Sequence, residues 1–338
     1  IPNRASFLNA VPGKGWSINL SWQDNAASET GFTLERREGA GEFSVLQTLG
    51  SNTVSFWDAT TQPGLTYTYR LRAFNANGPS DWTPEVTLTA ATLENAVSTV
   101  WDGGAEDTLI NSPTNWDFNT LPVSDGSVTV TFGTGGSLAT VNTNLSLGGI
   151  VLSRDADFTF ADSGGWLTLG AGGLSALLPT TTSRTYTLAA NMVLATNQTW
   201  TISTNLSGSA AVSVAGRLSG SGPGSGFMKT GYGVLTLAAS NSYEGVTTVS
   251  NGILAISHSH ALGSTNGNTV VRSASGGYLQ LSGGITVAEP LTLIGERPNY
   301  QASLINSGGS NVLSGPITRV GQTRLSANGG TTLSVKGG

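Results

Sequence analysis

The sequence predicts an all-β chain, a compact β-sandwich followed by a β-solenoid, and three observations carry that prediction. Short alternating apolar runs bounded by Gly or Asn recur along the chain and are clearest in residues 227–256. There Val234–Leu237, Val246–Val249 and Ile253–Ile256 each offer a few strand residues whose alternate side chains face opposite ways. Helical periodicity is nearly absent. The 338 residues include 46 Gly and only 10% charged residues, so turns are frequent and surfaces weakly charged, yet the persistent apolar triplets separate the chain from low-complexity disorder. No triplet could bury its apolar face alone, whereas stacked as rungs they form one continuous core.

The sandwich is expected over residues 1–92. Strand signals fall near Ala5–Val11, then at Ser17–Trp22, Thr33–Arg37, Val45–Leu49, Val54–Trp57, Thr66–Ala73 and Glu85–Thr89, the spacing of a two-sheet sandwich. Tyr67, Tyr69, Leu71 and Ala73 share one strand face and Arg70 and Arg72 the other, which places the arginines on the solvated side. This segment holds six of the 15 basic residues (Arg4, Lys14, Arg36, Arg37, Arg70, Arg72) and eight of the 20 acidic ones, so charge density falls sharply after it.

Three stretches of the segment, Ile18–Asn25, Glu29–Arg36 and Pro63–Ala73, resemble a bacterial fibronectin type III domain. The resemblance implies Trp22 as a core anchor and puts Tyr67 at a corner, its ring packed inward and its hydroxyl bonded to nearby backbone.

Residues 92–98 read as a short connection, and 93–127 as linker and solenoid cap. Trp101-Asp102-Gly103-Gly104 and Asn115-Trp116 make an aromatic, irregular lead-in, suited to covering a first rung whose edge would otherwise be sticky. From Val128 to Gly338 strand triplets run on, among them Val128–Phe132, Phe158–Phe160, Tyr186–Leu188, Trp200–Ile202 and Leu291–Leu293. At about 22 residues per turn this predicts about ten turns.

Lys229-Thr230-Gly231-Tyr232-Gly233-Val234-Leu235-Thr236-Leu237, followed by Asn241–Val249 and Gly252-Ile253-Leu254, resembles the autotransporter-associated β-strand repeat. The resemblance implies a right-handed parallel β-helix, exported, and standing at the cell surface or outside the cell in a passenger or structural role. The chain starts at Ile1 and stops at Gly338 within a strand-and-turn pattern, and the expectation is a longer parent chain.

Candidate chemistry is sparse. Cysteine is absent, which removes disulfides, thiolate metal sites and cysteine nucleophiles. The net charge of −5 disfavours nucleic acid and anionic membranes as partners, and no apolar run is long enough to span a bilayer as a helix. A polysaccharide lyase or hydrolase would need clustered carboxylates, but residues 163–243 carry only Arg184, Arg217 and Lys229 as charges. Asp155 and Asp157, near Arg154 and Asp162, could act as a carboxylate pair or hold calcium, and a solvated turn is the simpler reading. His258 and His260 share a strand face without a third ligand nearby in sequence.

Gly220–Gly226 has neither the Gly-Lys-Ser/Thr ending nor the following helix of a phosphate loop and reads as a loop between rungs. Trp166, Trp200, Tyr186, Tyr232, Tyr243, Tyr278 and Tyr300 could form a sugar platform but are better explained by stacking in or at the corners of the solenoid. Asn144, Asn197 and Asn205 begin acceptor patterns for glycosylation. No catalytic, cofactor-binding or metal-binding residue is therefore assigned, and no cofactor. The sequence points to a non-catalytic extracellular or cell-surface protein of structural or adhesive role. Its expected partners are itself, stacked head to tail into filaments or matrix, or surface glycans and proteins. A carbohydrate-binding surface protein is the alternative, and a polysaccharide-cleaving enzyme the weaker one.

Overall fold

A computed structural model describes residues 1–12, 16–90, 98–133, 135–178, 182–205, 208–295 and 302–337. Of the expected connection at 92–98, residues 92–97 lie outside the described residues, as does Tyr300. The chain divides into two compact units, Ile1–Val97 and Ser98–Gly338, and it is all-β.

The first unit is a β-sandwich. One sheet has three antiparallel strands, with Ile18–Gln23 between Ser6–Pro12 and Ser55–Asp58. The other centres on Gly31–Glu38 and Thr66–Asn75, flanked by Ser44–Gly50 and Val86–Thr89. Period-two alternation builds the core: Ile18, Leu20 and Trp22 point in from one sheet, and Phe32, Leu34, Tyr67, Tyr69, Leu71 and Ala73 from the other. Trp22 lies against Phe32 with ring centroids 6.0 Å apart. The corner at Tyr67 is present, its hydroxyl accepting the Gln62 N–H at 3.0 Å while the ring is buried.

The second unit is a parallel β-solenoid of about eight turns. Its first sheet runs strand upon strand from Ser98–Trp101 to Ile317–Gly321 and its second from Leu138–Val141 to Leu325–Ala327. The third side carries shorter pieces, such as Asn191–Leu194 on Leu218–Ser219, and Thr286–Val287, Ser310–Leu313 and Thr332–Val335 in one small sheet. Trp200, Lys229, Val249, Val271 and Leu293 stand one above another in register, so the turns between them take 20 to 29 residues. Lengthened turns, such as the one carrying Gly220–Gly226, explain why fewer turns form than about 22 residues each would give. The stack also opens earlier than Val128, because Ser98–Trp101 already pairs in parallel with Thr129–Phe132.

At that first rung the aromatic lead-in closes the core. Trp101 and Trp116 meet edge to face at 5.2 Å, and Phe132 stacks on Trp101 at 5.8 Å and continues to Phe158 and Phe160. Trp116 donates its indole N–H to the Ile110 carbonyl at 2.8 Å, which satisfies a polar atom inside the plug. Along the turns, asparagine side chains replace missing backbone pairings. Asn241 accepts from the Leu218 N–H at 2.8 Å and donates to the Ala261 carbonyl at 2.6 Å, tying three rungs.

Candidate functional site

The most differentiated place in the solenoid is the rung at 227–256, and its chemistry follows from strand parity. Phe227 and Lys229 are two residues apart on one strand, so both point inward. Phe227 stacks on Trp200 at 4.9 Å. Lys229 is fully buried in the column between Trp200 and Val249. Among the described residues its ammonium meets no carboxylate but donates to three backbone carbonyls, Thr230 at 3.1 Å, Gly231 at 2.5 Å and Asn251 at 2.9 Å. One cation thus joins two successive turns, and burial pushes its pKa down to about 7.

Glycines make those carbonyls available. Gly231 has φ +71°, and a Cβ there would lie 2.2 Å from the Ile202 carbonyl oxygen; Gly252, at φ +67°, would meet the Gly231 oxygen at 2.6 Å. Only glycine fits both the left-handed backbone and the close rung contact.

Glu289 is a second buried ionisable group. One carboxyl oxygen, Oε2, has no hydrogen-bond partner among the described residues, and burial raises the pKa to about 8, so the group is protonated at neutral pH. Tyr243, also fully buried, shares a hydrogen bond of 2.8 Å with Thr247 Oγ1.

The residues singled out from sequence are dispersed. Asp155 pairs with Arg184 on the next turn at 2.5 Å, and Asp157 accepts the Thr185 N–H at 2.8 Å. Both carboxylates therefore tie rungs together. Arg154 is buried, donates to the Gly135 carbonyl at 2.6 Å and lies over Phe158 at 5.1 Å. Asp162 accepts the Gly164 N–H at 2.9 Å, closing a turn.

His258 Nδ1 accepts the His260 backbone N–H at 3.1 Å, with ring centroids 5.8 Å apart. No group of three or more His, Cys, Asp or Glu side chains with metal-ligand spacing occurs among the described residues. Gly220–Gly226 joins Leu218–Ser219 to Phe227–Thr230, and its Gly222 N–H is held by Glu244 at 2.7 Å.

Among the aromatics, Trp200, Tyr186 and Tyr243 are buried, Trp166 and Tyr278 half-buried, and Tyr232 exposed. Asn144 and Asn197 spend their side-chain oxygens on the Trp166 and Gly226 N–H groups of the next turn. Residues 206–207 of the third acceptor pattern lie outside the described residues.

On the sandwich, the Arg face is largely neutralised. Arg70 is bonded to Glu35 through two nitrogens at 2.6 and 2.8 Å and stacks on Phe43 and Trp82, while Arg37 pairs with Glu85 at 2.9 Å. Arg72 lies over Trp82 at 4.2 Å. Sequence reasoning missed Lys229 and Glu289. For both the signal was available, since Lys229 shares parity with Phe227 and Glu289 with the buried Ile285, Val287, Leu291 and Leu293, but a charged side chain argues for solvent.

The geometry defines a β-sandwich joined to a parallel β-solenoid whose distinctive rung is glycine-turned and lysine-stapled. The family model of the Passenger-associated-transport-repeat matches this rung, residues 227–256. The chain is similar to the adhesin BmaC autotransporter of Brucella suis biovar 1, 26% identical over 208 residues. That similarity covers 59% of this chain and 6% of the relative's length. Solved structures similar to part of the chain include a myokine structure (15% identity, 27% of this chain and 99% of that one, TM-score 0.25). An Fn3-like protein from Clostridium thermocellum is similar at 22% identity, over 28% of this chain and 98% of that one, with a TM-score of 0.24.

Proposed function

We propose that this chain is a non-catalytic, adhesive segment of an exported bacterial protein displayed at the cell surface. The observation that carries the reading is the passenger-associated repeat at 227–256, placed on the rung where Gly231, Gly252 and Lys229 set the turns. The likeness to an adhesin of the autotransporter type supports it. In this role the solenoid is a weakly charged scaffold that holds its surface away from the cell, and surface glycans or proteins are its partners. The carboxylates an enzyme would need, Asp155 and Asp157, are engaged in rung-to-rung bonds, which favours the non-catalytic reading over polysaccharide cleavage.

The test is antibody labelling of intact producing cells together with their adherence before and after deletion of the segment encoding residues 1–338. Labelled cells that lose adherence on deletion support the proposal; unlabelled cells, or unchanged adherence, contradict it. Head-to-tail association of solenoids remains part of the same proposal, and electron microscopy of the native protein distinguishes filaments from separate rods.

A further inference from the structure

The sandwich carries an outward face that neither its core nor its ion pairs explain. On the three-stranded sheet, strand register lines up Val11, Asn19 and Trp57 in one row and Asn9, Ser21 and Ser55 in the next. All six point away from the core, and a groove of about 350 Å³ runs over Val11, Asn19, Ser21, Ser55 and Trp57. No charged side chain is among the described residues that line it. Trp57 is 58% exposed, unusual for the largest side chain in an otherwise well-filled domain.

A second observation concerns the same face. Phe7 lies in a bulge, where the pairing of the first two strands shifts register between Ser6 and Asn9. It is 79% exposed and its φ is +54°. Holding a non-glycine residue in the left-handed region is unfavourable, and such outliers gather at functional sites. Here the strain leaves Phe7, Asn9 and Val11 all exposed, while Leu8 and Ala10 pack against the core. By strand geometry Phe7 and Trp57 stand about 16 Å apart across the face.

We propose that this face binds a neutral glycan chain, with Trp57 stacking on one sugar ring, Phe7 on a later one, and the Asn and Ser rows between them bonding the hydroxyls. The chemistry is specific to that occupant. An indole face matches the C–H face of a pyranose, amides and hydroxyls both donate and accept as sugar hydroxyls require, and the uncharged lining offers an acidic glycan no partner for its carboxylates or sulfates. The inference deepens the adhesive reading and rests on it, because it names the ligand class through which the segment would adhere.

The experiment uses the full chain and an array of neutral and acidic oligosaccharides of three or more units, with Trp57→Ala, Phe7→Ala and Asn19→Ala compared by titration calorimetry on the best neutral ligand. The expected result is binding to neutral members that is insensitive to salt, weakened about 30-fold or more in Trp57→Ala and less in the other two. Because Trp57 and Phe7 are exposed, unchanged circular dichroism is expected and confirms that the variants fold. Binding confined to acidic members, or neutral binding that survives Trp57→Ala, overturns the inference. Beads coated with the chain separate the two readings: beads that adhere equally well as Trp57→Ala overturn the glycan site and leave the adhesive role standing, whereas wild-type beads that adhere to no surface remove the adhesive role itself.

Discussion

The two units bury charge in opposite ways. In the sandwich, Asp58 is buried but fully engaged: Arg36 donates to it at 2.8 Å, Tyr69 at 2.8 Å, and Thr60 through its backbone N–H at 3.0 Å and its hydroxyl at 2.7 Å. Although burial alone would raise the Asp58 pKa, those hydrogen bonds win and hold it below the usual carboxylate value. In the solenoid, among the described residues, Lys229 is satisfied by backbone alone and Glu289 keeps an oxygen without a partner. The difference follows from topology. Antiparallel strands distant in sequence bring side chains of opposite charge together, whereas a solenoid sets each turn only against its neighbours, so an inward charge meets turn carbonyls.

Mutations that strike one unit alone would sharpen this contrast. Trp200→Ala empties the column between Leu174 and Lys229, and a loss of about 3–5 kcal/mol is expected, seen as a calorimetric transition of the solenoid that moves down while that of the sandwich stays. Asp58→Ala should do the reverse. Removing one partner of a buried ion pair costs about 3–5 kcal/mol, and movement of both transitions together would break the picture of separate units. The Asp58 contribution is present above the unfolded-state pKa and is lost as pH falls through the lower folded value, so the stability gap between the wild type and Asp58→Asn should be widest near neutral pH and narrow as pH falls.

Lys229→Met is expected to cost the solenoid about 1–3 kcal/mol in urea melts, because three carbonyls lose their donor. An unchanged midpoint would mean that the staple contributes nothing. Its pH dependence and that of Glu289 have opposite signs. An unfolded chain releases the Glu289 proton near 4.5 and the fold near 8, so stability falls as pH rises between them. Lys229 keeps its proton to 10.5 when unfolded but only to about 7 when buried, so stability returns as pH rises through that range. The solenoid should therefore be least stable at about pH 7–8, and Glu289→Gln should abolish the fall on the acid side. The smallest effect belongs to Asp155→Ala. Its ion pair with Arg184 is half-exposed on the acid side, and a change under about 1 kcal/mol is expected.

The strands were legible because period-two alternation survives wherever a rung faces the core, as at Val234–Leu237 and Ile253–Ile256. Residues 234–237 show it directly, Leu235 and Leu237 being buried and Val234 and Thr236 half-buried. The inward ring of Tyr67 was legible for a similar reason, while its hydroxyl bond followed from the resemblance to fibronectin type III domains and not from the alternation. Lys229 was not, because hydropathy and parity contradict each other there and the deciding carbonyls come from the glycine turns at 230–231 and 251. Trp57 was read only as a strand residue: sequence gives the parity of a side chain, but not whether another layer covers its face.

The central claim is adhesion, and the most direct measurement is retention under flow of beads coated with the whole chain on cell layers and on immobilised glycans. The account predicts saturable retention that soluble chain competes away and that survives Asp155→Ala. Beads that wash off every surface as uncoated ones do would contradict it.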